Sequence, residues 1–161
     1  MEKEIPKRKQ IRLTEYDYSL PGAYFITVCT ANRMKIFWDD VGADIIRPHN
    51  VPLSSVGKIA EQAILQVKDY YKSITVDQYC IMPDHIHFIL RVKSDIGGRM
   101  ISAPTVSTVV GSMKRWVSRK IGRPIWQKSF YEHTIRNQQD YNEIWEYIAN
   151  NPLKYVLSRT P

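Results

Sequence analysis

The chain has 161 residues, 43% of them apolar and 24% charged, which suits one globular domain rather than two. Lys and Arg number 23 against 16 Asp and Glu, and the resulting net charge of +7 favours a polyanionic partner. The N-terminus lacks the apolar segment of a signal peptide, and no apolar run approaches the length of a membrane span. We therefore expect a cytoplasmic protein with no membrane partner.

The first half of the chain alternates between strand and helix patterns. A basic leader over residues 1–20 precedes a strand at residues 24–30, which is rich in aromatic and β-branched side chains. Residues 31–52 mix turn formers with short apolar pieces and are interpreted as an irregular excursion, compatible with a small hairpin. From residue 53 to residue 71, apolar side chains recur at helical spacing, and Gly57 weakens this helix without ending it.

The second half predicts two further helices and three strands. Strands at residues 74–81 and 85–93 flank Pro83, which presets the φ of a turn and cannot occupy a central strand position. A helix at 105–121 is followed by a weaker strand at 125–135, and a last helix at 138–150 is closed by Pro152. The order β-α-β-β-α-β-α predicts an α+β ferredoxin-like sandwich over residues 1–161. In it, helices pack on one face of a four-stranded antiparallel sheet, and the other face stays open.

Two histidines, His85 and His87, stand two positions apart where the strand after Pro83 begins. Residues i and i+2 of a strand point to the same face, so both imidazoles project from one side of the sheet. Such a pair is either part of a metal site or two histidines that pack in a half-buried strand. The spacing alone leaves both interpretations open.

A third metal ligand would have to come from another element, and His49, His133 and Asn151 are available. Asn151 follows Tyr147 by four residues near the end of the last predicted helix, and residues i and i+4 share one helical face. If that helix crossed the sheet, it would deliver an amide oxygen and a phenol side by side. Mixed nitrogen and oxygen ligands suit Mn²⁺ or Mg²⁺, and three protein ligands leave positions for water and a phosphate oxygen.

The run Met82-Pro83-Asp84-His85-Ile86-His87 resembles the HUH motif (histidine, hydrophobic residue, histidine) of single-tyrosine transposases. Within that group the chain is most similar to the REP-associated tyrosine transposases. The resemblance runs along nearly the whole chain in order, through residues 12–18, 21–27, 53–57, 126–136 and 147–152. It therefore depends on far more than the histidine pair.

The resemblance implies a metal-dependent endonuclease and strand transferase that acts on single-stranded DNA through a 5′-phosphotyrosine intermediate. Such enzymes work in DNA transposition or in the processing of palindromic repeat hairpins. Tyr147 matches the nucleophile, His85 and His87 match the ligands of a divalent ion (Mg²⁺ or Mn²⁺), and Asn151 matches a polar third ligand that is Gln in related enzymes. Hairpin-containing single-stranded DNA is the implied partner, and related enzymes act as homodimers or as monomers. His133 could help to take the proton of the tyrosine, but we favour a structural role for it.

A basic region between residues 96 and 131 contains no Asp or Glu. Its seven cations, which equal the net charge of the chain, are Arg99, Lys114, Arg115, Arg119, Lys120, Arg123 and Lys128. A solvated helix face is the plain interpretation, but charge concentrated in this way favours contacts with DNA phosphates.

Three other interpretations compete with the transposase-like one. A ferredoxin-like RNA-binding module would use aromatic side chains on the open sheet face and would need no metal. A domesticated nuclease would cut and join hairpin DNA without mobilising itself, using the same catalytic residues. The third alternative is a basic domain whose histidines only pack.

Overall fold

The computed structural model describes residues 22–39, 51–93 and 105–158. Its strands are β1 (Gly22–Cys29), β2 (Ile74–Ile81), β3 (His85–Val92) and β4 (Tyr131–Ile135). Its helices are α1 (Ser55–Leu65), the short α2 (Val67–Tyr70), α3 (Val106–Ile121) and α4 (Gln138–Leu157), and a 3₁₀ turn covers Ala31–Arg33. None of the helices in these ranges is long and apolar enough to cross a membrane. The basic leader, His49 and Arg99 lie outside the described residues.

The four strands form one antiparallel sheet in the order β2-β3-β1-β4. This order, together with the order of elements along the chain, confirms the predicted ferredoxin-like sandwich. Side chains alternate between the two faces of a strand, and Tyr24, Ile26 and Val28 of β1 join the main core with α1 and α3. The fold class was therefore predictable from the pattern of apolar residues alone.

We had expected the second face of the sheet to be open. This was wrong, because α4 lies across it. Ala23 of β1 and Ile89 of β3 form a smaller core there with Ile148 of α4. Ile148 is fully buried, whereas the outward side of α4 is polar or partly exposed. The apolar stripe of the last helix thus decides which face of the sheet it covers.

The helix predicted from residue 53 begins at Ser55 and divides at Gln66 into α1 and α2. Ser54 caps it, because its hydroxyl accepts a hydrogen bond of 3.0 Å from the amide of Gly57. A Cβ atom at Gly57 would lie 2.1 Å from the carbonyl oxygen of Phe37. Gly57 is therefore required by the close approach of the preceding chain.

Two predicted boundaries near the C-terminus were wrong. The last strand starts at Tyr131, because the segment before it is tied to α3 by Lys114, whose Nζ donates to the carbonyls of Gln127 (2.6 Å) and Ser129 (3.4 Å). Helix α4 continues through Pro152 to Leu157. Proline removes one backbone donor from a helix, but here its ring is buried, and this packing offsets the lost hydrogen bond.

Candidate active site

The histidine pair lies at the start of β3, on the face of the sheet that α4 covers. His85 pairs with Cys29 and His87 pairs with Thr27 across the β1–β3 ladder, so both imidazoles point to one side, as predicted. The Nε2 atoms of His85 and His87 approach to 3.1 Å. Two nitrogen atoms thus converge on one point beside the sheet.

Asp84 orients the first of these rings. Its Oδ1 lies 2.6 Å from Nδ1 of His85, and because a carboxylate can only accept, Nδ1 carries the proton and leaves the Nε2 lone pair available. Burial lowers the pKa of His85 and outweighs the opposing hydrogen bond and charge of Asp84. His85 is therefore held neutral, the form in which imidazole binds a metal.

Thr27 and Phe25 hold the second ring. Nδ1 of His87 lies 2.7 Å from the Thr27 hydroxyl, and the Phe25 ring stacks on the imidazole at a centroid distance of 5.3 Å. Only 6% of His87 is exposed, and burial, followed by the neighbouring His85 and Arg33, lowers the pKa of His87 to about 3. This histidine is neutral throughout the physiological range of pH.

Helix α4 brings Tyr147 to the pair. The Tyr147 ring lies 5.4 Å from the His87 ring and 6.0 Å from the Phe25 ring between centroids, and 46% of the residue is exposed. Near the start of α4, the Tyr141 hydroxyl donates to Asp77 Oδ2 of β2 over 2.8 Å. The helix is therefore anchored to the sheet, and the phenol of Tyr147 lies beside His87 and is partly open to solvent.

His133 contributes a second anchor for the same helix. Its Nε2 lies 2.9 Å from Oδ2 of Asp140, in the first turn of α4, and Asn137 caps that turn by accepting from the Asp140 amide. This contact joins β4 to the tyrosine helix and suits the structural role expected for His133.

Asn151 lies one turn beyond Tyr147 on α4. Its Nδ2 atom is buried and has no hydrogen-bond partner among the described residues. An unpaired buried amide is costly, and its oxygen and nitrogen exchange places by a rotation of 180°. With Oδ1 in that position, the orphaned atom becomes an acceptor for a cation or a donor group.

The donor set fits a divalent ion. Among the described residues no three His, Cys, Asp or Glu side chains are grouped closely enough to hold a metal ion, so a third ligand from this part of the chain would be of another type. The two converging imidazole nitrogens, and the unpaired amide of Asn151 one turn beyond Tyr147, are nitrogen and oxygen donors of the types that suit such an ion. Both imidazoles also have the hydrogen bonds at Nδ1 that metal-binding histidines need.

Apart from Arg99, which lies outside the described residues, the basic residues predicted to contact DNA belong to α3 and the segment after it, in the other layer of the sandwich. Arg115, Arg119, Lys120, Arg123 and Lys128 are exposed. Lys114 is half-buried and already engages two carbonyls, and burial lowers the pKa of its ammonium group. We therefore interpret Lys114 as a structural residue, and the other five stay candidates for phosphate contact.

Sequence reasoning missed several residues that surround the histidines. Phe25 and Thr27 were only part of a strand pattern, and Arg33, which bonds to Asp84, belonged to the excursion. Period-2 alternation could have placed Phe25 and Thr27 on one face together. Nothing in the sequence indicated that this face is the one that carries the histidines.

The model of the family described as "Transposase IS200 like" matches residues 22–151 of the chain. This range includes all four strands, both histidines, Tyr147 and Asn151. The match therefore covers the whole sandwich and most of α4.

Individual relatives agree with this match. A REP-associated tyrosine transposase of Escherichia coli K12 is 27% identical over 141 residues, covering 86% of this chain and 70% of its own. An uncharacterized protein of Haemophilus influenzae is 28% identical over 168 residues, with coverages of 92% and 90%. A solved structure of a REP-associated tyrosine transposase bound to a REP hairpin has the same fold, with a TM-score of 0.64 at 24% identity, covering 89% of this chain and 74% of that one.

Proposed function

The chain belongs to the IS200-like transposase family, and we propose that it nicks and rejoins single-stranded DNA with Tyr147 as the nucleophile. The phenolic oxygen forms a bond to the phosphorus of a phosphodiester, and the bond from phosphorus to O3′ breaks. The products are a 5′-phosphotyrosine link and a strand that ends in a 3′-OH. The covalent link conserves the energy of the phosphodiester, so the reverse attack by a 3′-OH rejoins strands without ATP.

One observation carries this proposal: a half-exposed tyrosine on α4 lies 5.4 Å, between ring centroids, from one of two histidines whose Nε2 atoms converge. Tyrosines are common in this chain, which has ten of them. Among the ring contacts of the described residues, Tyr147 is the tyrosine whose ring meets a histidine of this pair. Its edge-on contact with Phe25 limits the directions in which the phenol can point.

We propose that His85, His87 and Asn151 hold a divalent ion, Mg²⁺ or Mn²⁺. When bound, such an ion neutralises charge on the scissile phosphate and orients it for in-line attack. A phenol with a pKa near 10 is a weak nucleophile at neutral pH, so this help is needed. The chain contributes neutral imidazoles, fixed by Asp84 and Thr27, and a rigid helix that sets the position of Tyr147.

Hairpin-containing DNA is the proposed substrate. The solved relative is bound to a REP hairpin, and this chain has a cluster of exposed cations at Arg115, Arg119 and Lys120 of α3. Because α3 and Tyr147 lie in opposite layers, a single strand in the active site and a duplex stem on α3 would occupy different faces.

The coverage of the second sheet face weighs against the RNA-binding alternative. Such a module stacks bases on aromatic side chains of an open sheet. Here α4 covers that face, and Phe25 is packed between His87 and Tyr147. The alternative in which the histidines only pack (the packing-only alternative) does not explain why the buried amide nitrogen of Asn151 has no hydrogen-bond partner among the described residues.

The test is incubation of the full chain with a hairpin-containing DNA strand and Mn²⁺ or Mg²⁺. A 3′ label should migrate with the protein in a denaturing gel, and a 5′ label should appear as a shorter strand whose 3′-OH a polymerase extends. Tyr147→Phe should form no adduct. Tyr131→Phe is the matched control, since Tyr131 is also exposed and also contacts Phe25, with ring centroids 6.3 Å apart.

An adduct that persists in Tyr147→Phe would remove this tyrosine from the mechanism. His85→Ala should lose cleavage while hairpin binding stays within a few-fold of the unsubstituted chain, because the histidines lie away from the basic surface. Loss of hairpin binding together with cleavage would instead favour the packing-only alternative.

A further inference from the structure

Arg33 joins the histidine site through Asp84. Its Nε lies 3.0 Å from Oδ2 of Asp84, while the other oxygen of the same carboxylate lies 2.6 Å from Nδ1 of His85. Nη1 of Arg33 also donates to the Cys29 sulfur over 2.8 Å. The two carboxylate oxygens thus connect a guanidinium group on one side with a candidate metal ligand on the other.

The backbone at Arg33 is strained in a way that serves this contact. Asn32 and Arg33 both have positive φ, at 55° and 54°, and they are the non-glycine residues with that conformation in the described part of the chain. Asparagine tolerates the left-handed region, whereas arginine seldom adopts it. Strained backbone concentrates at functional sites, where the surrounding structure has to maintain it.

Thr30 maintains the strained backbone at Arg33 through its hydrogen bonds to Asp84. Thr30 is fully buried, its amide donates to the carbonyl oxygen of Asp84 (3.0 Å), and its hydroxyl, which has a single proton to share, lies 3.1 Å from the same oxygen. The Thr30 hydroxyl also lies 2.8 Å from the carbonyl of Met34, which closes the turn around Arg33. Asp84 is therefore held by a hydrogen bond from Thr30 to its backbone carbonyl and by an ion pair between its side chain and Arg33.

We propose that Arg33 is a positioning residue of the candidate metal site, which acts through Asp84 to fix the orientation of the His85 ring. The inference rests on the proposed function, in which His85 binds the ion. An exposed ion pair contributes little by itself, but the Asp84 side chain is only 14% exposed and is shared with the imidazole. Without Arg33, the carboxylate is expected to turn towards solvent and to release the His85 ring.

Two measurements on the DNA-free protein test this inference. The first is the dissociation constant for Mn²⁺, which should rise several-fold in Arg33→Ala, less than the rise of about tenfold or more that is usual when the direct partner of a metal-binding histidine is removed, because Asp84 itself remains. The second is solvent exchange of the Nδ1 proton of His85, followed by NMR, which should accelerate. The imidazole of His133, bonded to Asp140, serves as an internal reference and should not change.

Three further variants distinguish the effect of the Arg33 side chain from the effects of backbone conformation and of net charge. Arg33→Gly adopts positive φ without strain, so it should keep the turn and still lose Mn²⁺ affinity as Arg33→Ala does. Arg33→Lys retains a donor for Asp84 and should recover most of the affinity. Lys35→Ala removes one exposed cation from the same segment and should match the unsubstituted chain.

Unchanged proton exchange at His85 in both Arg33→Ala and Arg33→Gly would overturn the inference, as would full Mn²⁺ affinity in Arg33→Gly. Neither readout uses DNA, so both remain meaningful if Tyr147 forms no adduct. Conversely, an adduct that depends on Tyr147, together with unchanged exchange in the Arg33 variants, would overturn this inference and leave the proposed function intact.

Discussion

The Nε2 atoms of His85 and His87 lie 3.1 Å apart, although the proton of the His85 ring is already on Nδ1. Two bare lone pairs at this distance would repel each other, so in the metal-free protein His87 must donate from its Nε2. The Thr27 hydroxyl permits this, because it can donate to an unprotonated Nδ1 of His87 or accept from a protonated one. Metal binding at both Nε2 atoms therefore requires the proton of His87 to move to the side of Thr27.

Thr27→Val tests this requirement. Valine keeps the shape of threonine but cannot accept a hydrogen bond, so the metal-bound form of His87 would have an unpaired, buried Nδ1–H. We expect the dissociation constant for Mn²⁺ to rise by about tenfold or more. Thr27→Ser retains the hydroxyl and should restore the affinity. Titration calorimetry on the DNA-free protein measures both, and equal affinity in the two variants would contradict the proposed tautomer shift.

The sequence predicted the parts of this site that depend on local periodicity. A period of two puts His85 and His87 on one face, and a period near four puts Tyr147 and Asn151 on one side of a helix. The partner of His87 was not predictable in this way. Thr27 lies 60 residues away from it, and only the register of β1 against β3 brings them together.

Other features depend on tertiary contacts in the same sense. The start of β4 was predicted too early because no local signal shows that Lys114 binds the carbonyls of residues 127 and 129. The end of α4 was predicted at Pro152, because proline usually ends a helix. The burial of its ring, which lets the helix continue, depends on packing that the local sequence does not show. Local propensity gives the type of an element more securely than its limits.

The hydrogen bond between Tyr79 of β2 and Glu61 of α1 predicts how stability responds to alkaline pH. Burial, together with a 2.9 Å hydrogen bond to Glu61, raises the pKa of Tyr79 to about 12 from its ordinary value of 10.0. Between these two values the unfolded chain loses the proton and the folded chain keeps it, so the free energy of unfolding falls as pH rises. Thermal unfolding at several values of pH from 8 to 11 measures this decline.

Tyr79→Phe should make that decline shallower, since phenylalanine has no proton to lose, and the remaining decline is expected from Cys80, whose thiol pKa burial also raises to about 12. Tyr70→Phe is the matched control, because it makes the same substitution at a tyrosine that is 69% exposed. If Tyr79→Phe and the unsubstituted chain lose stability in parallel above pH 10, the raised pKa of Tyr79 does not contribute to the decline.

Salt dependence separates the exposed cations of the α3 region from the buried one. Each lost phosphate contact should reduce the slope of log affinity against log salt by about 0.7 to 0.9. We expect Arg119→Ala and Arg123→Ala to reduce the slope for hairpin DNA by about that amount each. Filter binding at several salt concentrations measures the slopes.

Lys114→Ala should behave differently, because its ammonium group bonds to the carbonyls of Gln127 and Ser129. Its loss removes the partner of one exposed and one part-buried carbonyl and should lower the unfolding free energy by about 1 kcal/mol, with little change in the salt slope. If this variant instead reduced the salt slope by about 0.7 to 0.9 at unchanged stability, Lys114 would belong to the DNA contacts.

The buried amide of Asn151 gives the sharpest distinction between a functional and a structural residue. Its Nδ2 has no partner among the described residues, so removing the amide should not cost the metal-free protein a hydrogen bond. Asn151→Leu is expected to raise the free energy of unfolding without metal by about 1 kcal/mol and to weaken Mn²⁺ binding. Asn151→Asp keeps an oxygen at the same reach, adds a negative charge, and should bind Mn²⁺ more tightly than the unsubstituted chain. Chemical denaturation with and without Mn²⁺ measures both effects, and a leucine variant that is less stable in both conditions would assign Asn151 to the core instead of the metal site.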